Sequence, residues 1–256
     1  MRQLKVILAV FFVSLSLYSY ANETDSLLRV LDMSIRNRPQ YTLERQEQID
    51  ALQRKLRLPH SDQERFDVYR ELFGKYRSYR MDSALWVANQ RVELAKRMKN
   101  PLHIYSAELN VAEVMIGVAM YKEGLEILDG IKSSDLDASG ISYYYYQYHQ
   151  VYTLMADYAF SDKMKDHYRS LAYQYKDSIL NIRKPGSQGY LLMKSEKLLY
   201  EEKYDEAIGI LNSCYETHKQ KGYSVAIPSI GLANAYGVMG KTELQKKYLI
   251  ISAIAD

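Results

Sequence analysis

Two stretches of this chain carry the same local order of residues. Tyr204-Asp205-Glu206-Ala207-Ile208 follows Leu191, Ser195 and Leu198, and Tyr121-Lys122-Glu123-Gly124-Leu125 follows Glu108, Ala112 and Met115. Each reads as a helix, a short turn, and a second helix opening with Tyr-x-Glu and a small residue. Such repetition limits the fold more than composition does. A single helical hairpin cannot bury its apolar side alone, so its copies must stack.

The pattern is that of the tetratricopeptide repeat, and it extends in both directions. Tyr69, Leu72, Phe73 and Tyr76 take the large positions of a first helix, with Ala84, Ala88 and Ala95 as the small positions of its partner. Pro101 is expected to close that unit. Further units follow at 102–131, 141–182 and 188–218, with a polar loop at 132–140. A last unit opens near Tyr223, and its second helix starts after Gly240. The spacing is roughly 35 to 42 residues, a little longer than the ~34 of the standard repeat. The expected fold class is therefore all-α: a tetratricopeptide-like, right-handed helical-hairpin solenoid of about five helix pairs over residues 61–256. A helical hairpin over 22–60 precedes it. There Asp25 is expected to cap a helix carrying Leu27, Leu28, Leu31 and Ile35 that ends at Arg38-Pro39, and Ile49, Leu52 and Leu56 mark the next. Ser61-Asp62-Gln63-Glu64 has the order of a capping box, the mark of a new helix start.

Residues 1–21 read as an export signal. Arg2 and Lys5 precede an apolar run from Val6 to Leu17, and Ser19-Tyr20-Ala21 offers small residues where a signal peptidase cuts. The run falls short of the ~20 residues a membrane span needs. The mature chain is expected to start near Asn22, outside the cytoplasm.

The chain has 34 basic and 31 acidic residues, so it lacks the concentrated positive charge of a nucleic-acid binder. Its one cysteine, Cys214, allows no internal disulfide and is expected in the core. His149 and His167 lack a carboxylate at ligand spacing, so no metal site and no cofactor is expected. No phosphate loop, nucleophile elbow or His-Glu-x-x-His motif is present, and the chain is not expected to be an enzyme. Trp86 is expected in the core.

Tyrosine is the outlier: 25 Tyr against 5 Phe and 1 Trp. Tyr143 to Tyr146, Tyr148 and Tyr152 crowd one helix, and a run of four covers every face. Most belong to packing between repeats. Tyr144 and Tyr148, one turn apart, are expected as an exposed pair, and with Tyr152 as the candidate ligand-binding residues. The last helix, with Leu249, Ile250, Ile251 and Ile254, has few polar positions. Leu249, Ile250 and Ile254 are expected to form a partner or self-association surface, as where a longer chain has been cut.

Asp25-Ser26-Leu27-Leu28, Arg38-Pro39-Gln40-Tyr41, Tyr76-Arg77-Ser78-Tyr79, Met81-Asp82-Ser83-Ala84-Leu85 and Ser252-Ala253-Ile254-Ala255-Asp256 together resemble a Bacteroidota family of exported tetratricopeptide proteins of unknown function. In those proteins the array precedes a membrane helix, a coiled coil and a cytoplasmic helix-turn-helix region. The resemblance covers only the sensory half and carries no catalytic residue. Asp25-Ser26-Leu27 and Asp82-Ser83-Ala84 fit the O-glycosylation motif of exported Bacteroidota proteins, and fit helix caps better. The function expected is a periplasmic scaffold binding a protein or peptide, the sensory part of a membrane-bound regulator; the alternative is a glycan-binding or outer-membrane assembly component.

Overall fold

A computed structural model describes residues 23–255, and every regular element among them is helical. The expected signal peptide lies outside the described residues. The helices are α1 (23–36), α2 (Arg38–Leu56), α3 (Asp62–Tyr76), α4 (Met81–Met98), α5 (Pro101–Gly117), α6 (Tyr121–Gly130), α7 (Ala138–Asp157), α8 (Asp162–Ile182), α9 (Gln188–Tyr200), α10 (Tyr204–Gln220), α11 (Ala226–Val238) and α12 (Thr242–Ala255). The expected pairs are present: α3/α4, α5/α6, α7/α8, α9/α10 and α11/α12. The fold is all-α and tetratricopeptide-like.

Two compact units divide the chain. One holds residues 41–184, the other residues 23–40 with 185–255. Helix α1 belongs with the C-terminal helices, and α2 from Tyr41 onward with the first repeats.

The repeated Tyr-x-Glu passages mark a repeated turn. Ala119, Glu202 and Gly240 each adopt a left-handed backbone, with φ of 64°, 59° and 68°. The next residue then reaches back: the amides of Met120, Lys203 and Lys241 donate to the carbonyls of Met115, Leu198 and Tyr236, each at 2.8 Å. This closes the last turn of α5, α9 and α11 alike. Two of the three residues carry a Cβ there, which costs roughly 1–2 kcal/mol each.

Helix starts follow local chemistry. The Ser61 hydroxyl accepts from the Glu64 amide at 3.3 Å, while the Glu64 carboxylate accepts from the Ser61 amide at 2.8 Å, completing the expected capping box. Pro101 opens α5 rather than closing the unit before it. Asn100 caps that helix, and a proline in a first turn has no needed N–H to lose. Pro39 likewise sits in the first turn of α2. Asp25 lies inside α1 and Asp82 inside α4, whose N-cap is Arg80, so neither caps.

In unit 41–184 the core runs through Ile49, Val68, Leu72, Val87, Ala88 and Val114. Each fully buried large aliphatic contributes about 1.5–3 kcal/mol. Gly124 lets α5 and α6 touch: a Cβ there would stand 2.8 Å from Ile116 Cγ1. In the other unit Ala207, Leu211, Cys214, Leu232 and Ala233 are buried, as the repeat register predicts.

The final helix is not left uncovered. Ile250 is buried, and the start of α11 holds the end of α12 through Ser252 Oγ donating to Ala226 O at 3.0 Å and Ser224 Oγ donating to Ala255 O at 2.9 Å. Helix α1 lies along the same hairpin. Glu23 pairs with Lys247 at 2.6 Å, and Leu27 and Val30 share a cleft with Tyr248, Ile251 and Ile254. The inward stripe of α1 is buried Thr24 with half-buried Leu27, Leu31 and Ser34, whereas Leu28 and Ile35 face outward. Of the expected association surface only Leu249 stays well exposed.

Candidate binding groove

Arg91 is the least expected residue of the core. It lies on α4 between Ala88 and Ala95, on the stripe that packs inward, and is 1% exposed. Its guanidinium stands 4.3 Å over the Phe66 ring. Nη1 donates to Asn110 Oδ1, Nη2 reaches Ser106 Oγ at 3.5 Å, and Nε has no partner. Burial, with Arg70 adding like charge, pulls its pKa down to about 10, so it stays charged at neutral pH.

A chain of hydrogen bonds leaves this point and crosses the first helices of three repeats. Asn110 Nδ2 donates to the Tyr143 hydroxyl at 3.4 Å, that hydroxyl donates to Glu113, and Glu113 accepts from Arg77 at 3.1 Å. The line joins α4 to α5, α7 and α3. Burial first, then the Glu113 charge, pushes the Tyr143 phenol well above its usual range, so it stays a donor.

Above this floor lies a groove of about 570 Å³ between α3, α5 and α7. Phe66, Phe73, Leu102, Leu109 and Leu136 supply its apolar lining, and Asp67, Arg70, Arg77, Arg91, His103 and Tyr143 its polar one. His103 Nδ1 is buried without a partner. A preformed cleft with a few convergent polar groups is the usual form of a ligand site.

The predicted tyrosines are elsewhere. Tyr148 is buried, not exposed: its ring stacks on Tyr175 of α8 with centroids 4.5 Å apart and planes 5° from parallel, and its hydroxyl donates to Asp129 at 2.6 Å. Tyr144 meets it edge-on at 5.0 Å, and Tyr152 stacks against it at 6.2 Å. Both are half-buried. These rings fill the interior of the long α7/α8 hairpin, so the expected exposed pair is a packing ladder. Of the run of four, Tyr146 is the exposed member.

Trp86 also departs from expectation. It is 54% exposed, edge-on to Tyr69 at 5.9 Å, beside a cleft of about 490 Å³ shared with Gln53, Arg57, Asp82 and Ser83. His149 does not meet a metal-ligand set: its Nδ1 lies 3.0 Å from the Ala172 carbonyl. Among the described residues no three His, Cys, Asp or Glu side chains converge as a metal site would require.

The family described as the SusR N-terminal TPR domain, a tetratricopeptide-repeat domain, matches residues 35–256. The chain belongs to that family. No curated protein matches it. The match agrees with the family resemblance read from the sequence. It spans both units and identifies a repeat domain of a non-catalytic, protein-binding scaffold type. Among the described residues no helix is long and apolar enough to cross a membrane.

The groove was partly legible in advance. Ala84, Ala88, Arg91 and Ala95 follow helical spacing, so an arginine on an alanine stripe was the available signal. Asn110 occupies the same kind of position between Ala107 and Val114.

Proposed function

We propose that this chain is an exported scaffold that holds a protein or peptide segment in the α3/α5/α7 groove, as the sensory part of a membrane-bound regulator. The observation that carries the reading is the hydrogen-bonded line from Arg91 through Asn110, Tyr143 and Glu113 to Arg77. It ties the groove-lining helices of three repeats into one preorganised floor, which lowers the cost of ordering a flexible segment against them. Export and a periplasmic address rest on the order of residues 1–21. Mass spectrometry of the secreted protein should find its N-terminus at or near Asn22.

Gly74 supplies the test. It lines the groove, and a Cβ there would meet no atom within 4 Å. Gly74→Leu therefore fills the cleft without straining the helix. Wild-type protein probed on an array of random octapeptides should retain a subset, and Gly74→Leu should lose it while keeping its helical circular dichroism. Unchanged retention would place binding outside the groove.

A second reading is favoured by Trp86 alone. A half-exposed indole beside Gln53, Asp82 and Ser83 suits the flat face and hydroxyls of a sugar. Trp86 is the chain's sole tryptophan, so its fluorescence reports that cleft directly. A saturable shift on adding an oligosaccharide panel would move the site there.

A further inference from the structure

We infer that the groove seats a carboxylate of its bound peptide on the side edge of the Arg91 guanidinium, flanked by His103 and Arg70. The inference rests on the peptide-binding reading above and names the chemistry of the occupant.

Arg91 is a buried cation without a counter-ion. No carboxylate of the described residues lies within ion-pair distance of it. The nearby acids are already engaged. Asp67 pairs with Arg70 at 3.1 Å, Glu113 accepts from Arg77 and Tyr143, and Asp137 accepts from the Gly140 amide at 2.7 Å at the start of α7. The groove lining then holds three arginines against two aspartates, and Arg91 is the charge left over. Burying a charge without a partner is costly, and a chain that keeps one in a ligand-sized cleft has room for the missing anion.

The free donors define that anion. Nη1 is taken by Asn110, while Nε is free and Nη2 makes only the long contact to Ser106. Nε and Nη2 form the side edge that matches the two oxygens of a carboxylate. His103 Nδ1, a second buried nitrogen without a partner, lines the same cleft. Its ring is held edge-on to Phe66 at 4.6 Å, the same ring that underlies Arg91. The two side chains that carry these orphaned nitrogens therefore pack on one aromatic ring, Phe66. The apolar lining beside them, Leu102 and Leu109 among it, fits the side chains around an acidic residue or a free C-terminus.

The test uses the octapeptides retained by the full chain, resynthesised in three forms: unmodified, with a C-terminal amide, and with each Asp or Glu changed to Asn or Gln. Fluorescence anisotropy should show one amide form binding about tenfold or more weakly, the effect of losing a charge-assisted hydrogen-bond pair. Which form fails tells whether the carboxylate is terminal or a side chain. Arg91→Met should weaken the unmodified peptide by a similar factor and leave the amide form unaffected; if that variant does not fold, the comparison on wild-type protein still decides. Equal binding of all three forms would overturn the carboxylate seat while leaving peptide binding intact. Retention of no octapeptide would overturn both.

Discussion

The Tyr148 hydroxyl donates to the Asp129 carboxylate at 2.6 Å, tying α7 to the end of α6 across a repeat boundary. The same ring stacks on Tyr175, so one side chain joins three helices. Tyr148→Phe keeps the stack and deletes the hydrogen bond. Asp129 is exposed and regains water, so the expected loss is about 1 kcal/mol. Tyr148→Ala removes the stack as well and should cost roughly 3–5 kcal/mol. Urea denaturation of the two variants separates the contributions. A loss for Phe as large as that for Ala would mean the stack adds nothing.

The left-handed turns make a prediction of opposite sign. Ala119 and Glu202 bear a Cβ where Gly240 serves the third hairpin without one. Ala119→Gly and Glu202→Gly should each raise stability by roughly 0.5–1 kcal/mol, the relief of strain less the greater freedom of glycine in the unfolded chain. Thermal melts of the single and double variants should show additive gains. A destabilised variant would mean the methyl or carboxylate makes a contact outweighing the strain.

Acidification should release the α3 cap. Hydrogen bonds from the Ser61 amide and hydroxyl hold the Glu64 carboxyl below its usual range. A carboxyl with a depressed folded pKa adds stability that is complete above the unfolded value and lost as pH falls through the folded one. The stability difference between wild type and Glu64→Ala should therefore be present at pH 7 and close as the pH drops below about 4.5, the ordinary value for glutamate. A difference that is constant with pH would show that the carboxylate has no part in the cap.

Helix α1 should protect the end of the chain. With residues 23–36 deleted, the cleft side of Ile251 and Ile254 loses its cover, and the Lys247 ammonium loses Glu23. Light scattering across a concentration series should show association of the shortened chain beyond that of the intact one. Leu249→Lys in the shortened chain should reduce it if α12 is the contact. Equal behaviour of the two chains would mean α1 covers nothing that matters.

The hairpins were readable because their signal is local and repeated. Helical spacing, small residues at crossings and a recurrent turn need no knowledge of the rest of the chain. Ala207 and Gly124 read as the small residues near the start of a second helix on that ground, and both are buried. The tyrosines were misread for the opposite reason. Periodicity places Tyr144 and Tyr148 on one face of α7, but whether that face meets water depends on α8, whose Tyr175 arrives from another part of the chain. Trp86 failed likewise: size argued for burial, and the neighbouring helices leave it open. The cover α1 gives to α12 joins segments more than 200 residues apart, beyond any local pattern. Arg91 was visible as a polar residue on an apolar stripe, but its lack of a counter-ion required the positions of Asp67, Glu113 and Asp137.

The face of α3, α5 and α7 is where a segment is expected to bind. Amide hydrogen exchange of the full chain, free and saturated with its best-retained octapeptide, tests it most directly. Added protection should concentrate in residues 62–76, 101–117 and 138–146, with α4 and α6 little changed. Protection confined to α4 and α6, or to residues 185–255, would contradict it.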